Sequence, residues 1–150
     1  MIKIILLIIA ALFSLGFTAY IIMAMLSQKT PETLGLEQGL LLPCPTSPNC
    51  VCSEVHAQDD KIHFVSPIPA TEKSWVKLRQ NIIDLGGNIQ SDKSDYLHAT
   101  FSSPIFRYVD DLELRLDRAN NLIHMRSASR IGRSDFGVNR KRVESLKQSL

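Results

Sequence analysis

From Ser127 to Arg142 the chain reads SASRIGRSDFGVNRKR, with four arginines and one lysine against a single acid, Asp135. Residue types of this kind can hold an anion. Gly132 and Gly137 permit turns that present backbone N–H groups, and Ser127, Ser129, Ser134 and Asn139 add donors. A helix predicted to begin near Val138 or Asn139 adds the positive end of its dipole. Arg126, Arg130, Arg133 and Arg140 supply the charge, with Asp110, Asp111, His98 and Asp135 as supporting polar groups. Neither a phosphate-loop lysine pattern nor a dinucleotide glycine spacing is present. The competing reading is structural. Guanidinium and carboxylate match in bidentate forks, so Asp110, across a hairpin from Arg126 or its neighbours, would brace the fold.

Two further sets of residues bear on chemistry. His98 or His124 with Asp110 and Asp111, and Ser127 or Ser129 as nucleophile, has the composition of a small hydrolase. No nucleophile-elbow glycine pattern accompanies it, and we expect a non-enzymatic domain. Cys44, Cys50 and Cys52 are the only cysteines. A Cys44–Cys50 disulfide would close a short loop and leave Cys52 over. The alternative adds His56 as a fourth ligand for zinc or copper, at a spacing that matches no zinc module. We carry forward the disulfide, with no metal and no cofactor.

These residues need a scaffold. TEKSWVKLRQNIIDLGG, capped by Thr71, is a helix with Trp75, Leu78, Ile82 and Leu85 at helical spacing. GNIQSD, DYLHATFSS, FRYVDDLELRLD and NLIHMRSAS favour strand, the last two joined as a hairpin by RANN. NRKRVESLKQSL closes the chain as an amphipathic helix, and IHFVSPIP is a short edge strand. The proline-dense segment PCPTSPNCVCSE reads as a fixed loop. The predicted class is α+β: an N-terminal transmembrane helix, then a small antiparallel sheet with helices packed on one face.

Ile4 to Leu26 is 23 residues without a charge, enough to cross a hydrocarbon core about 30 Å thick. Its length and the bulky residues near its end favour an uncleaved anchor over a cleaved signal. Pro43 before Cys44 argues against a lipoprotein. The divisions are therefore 1–26 anchor, 27–42 linker and 43–150 domain. Lys3 and the amino terminus outweigh Lys29, which predicts a cytoplasmic N-terminus and an external domain. The membrane, through residues 4–26, is the first expected partner. Past residue 30 there are 15 basic and 15 acidic residues, which argues against nucleic acid. An anionic small molecule, lipid headgroup or glycan remains, or an envelope protein docking on a domain whose arginines are structural.

CPTSPNCVCS, DYLHATFSSPIFRYVDDLEL and IHMRSASRIGRSDFGVNRKRVE resemble the family catalogued as domain of unknown function 1499. The resemblance runs from about Leu42 to Leu146. It implies an uncharacterised protein with, in many bacteria, an N-terminal membrane or export segment, and relatives in plastids; with the topology read above, the expected place is the bacterial inner membrane, single-pass, with the C-terminal domain in the periplasm. It assigns no catalytic role. It places Cys44, Cys50, Tyr96, His98, Asp110, Asp111, Arg126, Ser127, Ser129, Arg130, Asp135, Asn139 and Arg140 in the shared pattern. Cys52 departs from that pattern, which has serine there.

Overall fold

A computed structural model describes residues 1–150, the side chain of Glu72 apart. The apolar N-terminal run forms one helix, α1 (Ile2–Gln28), of mean hydropathy 2.5, with none of its most apolar window buried in the protein. It is long and apolar enough to cross a membrane. The segment expected as a linker does not hang free. Its first residues are the last turn of α1, and β1 (Leu36–Glu37) and β2 (Leu40–Leu41) make a small hairpin within it. Gln38 and Gly39 at the turn both have positive φ, 52° and 81°, the conformation a two-residue hairpin needs. Residues 31–45 thus form a strap over the domain.

The main sheet is antiparallel, in the order β3 (Cys50–Cys52), β8 (Leu122–Ser129), β7 (Val109–Asp117), β6 (Tyr96–Ser102), β5 (Asn88–Asp92). β4 (Ile68–Pro69) pairs with the start of β8, on the edge that β3 uses further along. Two expectations are corrected here. The cysteine segment is not all loop: Pro43, Pro45 and Pro48 precede β3, so nothing prevents Cys50–Cys52 from pairing with Arg126–Ala128. The edge strand in IHFVSPIP shrinks to Ile68–Pro69, because its prolines leave only a single bridge, Cys52 to Phe64, upstream.

Both helices form where the spacing predicts. α2 (Glu72–Asp84) is capped by Thr71, whose side chain accepts from the Ser74 N–H while Ser74 Oγ accepts from the Thr71 N–H. α3 (Val138–Gln148) starts after Gly137. Leu78 and Ile82 of α2 and Val143 and Leu146 of α3 pack on Leu97, Ala99, Leu112, Leu114, Ile123 and Met125. That is one face of the sheet, and the class is α+β as expected. The other face is polar and lies under the strap.

Candidate functional site

Period-two alternation puts Tyr96, His98, Asp111, Glu113, Arg115, His124 and Arg126 on that second face. All but half-buried Tyr96 are buried, beneath the strap or against Ser53 and Glu54, so each charge has had to find a partner. Glu113, wholly buried, sits opposite Arg126 in the β7–β8 register and accepts from its Nη1 at 2.9 Å. Glu54 takes Arg115 Nε and Nη2 at 2.7 and 2.9 Å. Asp111 takes Arg130 Nε and Nη2, both at 2.8 Å, and lies 2.8 Å from His98 Nε2. Burial pushes the Asp111 carboxyl up, but the bonds from Arg130 and His98 outweigh it and hold it below the ordinary carboxylate range.

The carboxylates also hold the strap. Glu113 Oε1 accepts from the Gly35 N–H and from Tyr96 Oη, both at 2.8 Å, and Glu54 Oε1 accepts from the Leu41 N–H at 3.1 Å. Burial, and then the Glu113 charge, push the Tyr96 phenol far above its usual range, so it stays a donor. Glu54, Glu113, Asp111 and, at 3.6 Å from Arg115 Nη1, Asp117 therefore face three guanidinium groups in one layer, and each guanidinium has a carboxylate. Such pairs add little stability relative to apolar packing, but removing one partner is costly.

One hollow opens into this layer. Its volume is about 400 Å³, and it lies between Pro31, Thr33, Leu42, Pro43, Cys44 and Pro45 of the strap and Asp111, Arg126, Ala128, Ser129 and Arg130 of the sheet. Arg126 is 3% exposed, and its Nε is the one buried side-chain nitrogen or oxygen among the described residues with no hydrogen-bond partner. Cys44 is fixed at the rim by its disulfide to Cys50. Cys52 stays free and buried, its Sγ 3.8 Å from His56 Nε2, and burial pushes its thiol up to about 11.

Residues 40–150 match the family model described as protein of unknown function (DUF1499). The chain belongs to that family. The match takes in the whole main sheet, α2, α3 and the sheet wall of the hollow, and leaves α1 and the start of the strap outside it. No curated protein and no solved structure matches the chain.

Within this DUF1499 domain the residues singled out from sequence separate into several places. Arg126, Ser129, Arg130 and Asp111 line the hollow. Asp110 does not face Arg126: the register pairs it with Ser129, on the helical face, where its carboxylate takes Arg142 Nη2 at 2.8 Å. Ser127 and Asn139 join that second cluster, Arg142 Nη1 donating to Ser127 Oγ at 3.0 Å while its guanidinium lies 4.3 Å from the Phe101 ring centre. Asp135 accepts from the Gly137 and Asn139 N–H groups and so holds the start of α3. Arg140 ties down the carbonyls of Ile62 and Phe64, and Arg133 is exposed. Ser127 and His98 lie on opposite faces of the sheet, and His124 bonds the Ser53 carbonyl at 3.0 Å. Glu54, Glu113, Arg115, Tyr96 and Arg142 were not singled out as site residues from the sequence. The signal for two of them, Glu113 and Arg115, was present: the alternation D-L-E-L-R gives β7 a face of charges, and only a cover would oblige them to pair.

Proposed function

We propose that the protein is a membrane-anchored binding domain, without catalysis of its own, whose hollow under the strap takes a small molecule presenting an oxyanion on an apolar body. The observation that carries this reading is the partnerless, buried Arg126 Nε–H at a hollow walled by proline rings, Leu42 and Ala128. A buried donor without an acceptor is costly, and a ligand oxygen would relieve it. A carboxylate and a phosphate ester both offer that oxygen. Each guanidinium beneath already faces a carboxylate, which favours a group of low charge over a multiply charged one. The charge difference across α1 and the disulfide at the rim support an external, oxidising compartment, the periplasm of a bacterial inner-membrane protein.

The test is thermal unfolding of the full chain in detergent micelles against short-chain carboxylates, inorganic phosphate, glycerol phosphate and sugar acids. At a hundred times its dissociation constant, a ligand of the native state adds about 2.7 kcal/mol. Arg126→Lys keeps a charge for Glu113 but lacks the Nε donor, and Ala128→Leu fills the hollow while removing no member of an ion pair. A midpoint rise in the wild type that both variants lose is the expected result. No rise with any probe, or a rise that both variants keep, sinks the reading.

A further inference from the structure

The β6–β7 loop, Ser103–Tyr108, is laid along α1. Tyr20 Oη donates to the Ile105 carbonyl at 3.2 Å, and Gln28 Nε2 donates to the Arg107 carbonyl at 2.8 Å. Tyr20 meets the Phe106 ring edge-on at 5.6 Å, and Phe106 stacks on Tyr108 at 5.6 Å. Tyr20 is eight residues before Gln28, so the loop reaches back about 12 Å along the helix at 1.5 Å per residue. An apolar run of 23 residues is about 34 Å long, slightly more than the hydrocarbon it would cross. The level of Tyr20 is therefore at or inside the edge of that hydrocarbon.

The side chains the loop presents at that level suit lipid. Ile105 is 76% exposed and Phe106 50%, next to Pro104, which has no N–H to satisfy. The backbone at the base of the loop is tied up: Arg107 N–H donates to the Ser103 carbonyl, Tyr108 N–H to Ser103 Oγ, and Ser103 N–H to the Tyr108 carbonyl. The Ile105 and Phe106 N–H groups have no acceptor among the described residues, which sets the tip of the loop at the hydrated boundary and not deep in the hydrocarbon. Exposed Arg107 and Lys29 stand at the base of the loop, where phospholipid headgroups would lie.

We propose that Ser103–Tyr108 is a second membrane contact, inserting Ile105 and Phe106 at the boundary between headgroups and acyl chains of the bilayer that α1 spans. This rests on the spanning role of α1 in the function proposed above. With two points of attachment the domain does not swivel, and the mouth of the hollow, which begins at Pro31, is held beside the headgroups.

The full chain is reconstituted in phosphatidylcholine–phosphatidylglycerol vesicles with Trp75→Phe as background, which removes the single native tryptophan. Ile105→Trp then reports on the loop, at a side chain that stacks on no ring of α1, and Phe13→Trp reports on the middle of α1. The expected result for Ile105→Trp is blue-shifted emission, quenched more by lipids brominated near the carbonyl end of the acyl chain than near the methyl end. Phe13→Trp should be quenched most by the deep-brominated lipid. If only Phe13→Trp is quenched, α1 spans and the loop contact is wrong. If neither is quenched, the spanning reading fails and the loop contact fails with it.

Discussion

Asp111 and Arg130 decide whether the arginine stretch braces the fold. Their side chains are 2% and 7% exposed and joined by two bonds of 2.8 Å. Asp111→Asn leaves a buried guanidinium without its carboxylate, and Arg130→Met leaves a buried carboxylate with only His98 beside it. Either change should cost about 3–5 kcal/mol, the usual penalty for an orphaned buried charge. For a domain of this size that is a fall of roughly 10–20 °C in the unfolding midpoint. The double variant orphans neither charge and should lose less than the sum of the two. The assay is unfolding of the full chain in micelles, followed by circular dichroism, for the four proteins of the cycle. The pH dependence adds a second check. In the wild type the Asp111 carboxyl is held below its unfolded value, so its contribution is present above about pH 4 and lost as pH falls through the lowered folded value. In Arg130→Met the largest lowering influence is gone while burial remains, so the folded carboxyl moves up from its wild-type value and acid relieves it. The stability gap to wild type should therefore narrow between pH 7 and pH 4. Single variants within about 1 kcal/mol of wild type, or strictly additive losses, would refute the brace.

Three other outcomes are expected. Gly87→Ala places a Cβ 2.7 Å from Ile82 Cγ2 and Phe101 Cζ and 2.8 Å from the Ile82 carbonyl, and should cost about 1–3 kcal/mol by overpacking, read as a lower denaturant midpoint at unchanged slope. Replacing Cys44 and Cys50 together by serine opens a link of sequence separation 6 and should cost about 2–3 kcal/mol, with a matching loss when the native protein is reduced. Cys52, buried and with its thiol pushed up to about 11, should resist iodoacetamide at pH 8 until the domain unfolds. Fast labelling of the native protein would show that the strap opens.

Local signals carried the elements well. Thr71 and the Trp75–Leu78–Ile82 spacing gave α2 with its cap, and the alternation in RYVDDLELRLD and NLIHMRSAS gave the hairpin and its faces. The pairing of faces depended on one quantity that alternation does not contain. The register, fixed by the turn at Asp117–Leu122, sets Glu113 and not Asp110 beside Arg126. The strap was illegible for a different reason. Its hairpin is two residues a side, and it is held by single N–H donations from Gly35 and Leu41 to acids 78 and 13 residues away. Nothing local announces such a contact. Without the strap, the charged face of β7 reads as solvated, and the arginines look free to bind.

The last turn of α1 is built into the domain. Ser27 is buried and its Oγ accepts from the Val109 N–H at 2.7 Å, while the Gln28 carbonyl accepts from Arg130 Nη1 at 3.0 Å. The covalent chain then runs straight from that joint into Pro31 and Thr33, the wall of the hollow, and on to the disulfide at Cys44. Severing the chain between Gln28 and Pro31 would thus do more than separate α1 from the domain. It would cut loose one end of the strap, and strip the Val109 amide and the Arg130 guanidinium of acceptors, at the place where the hollow begins. If α1 anchors the protein as proposed, a form cut there is not equivalent to the intact chain: loss of the anchor is also a change in the wall of the hollow.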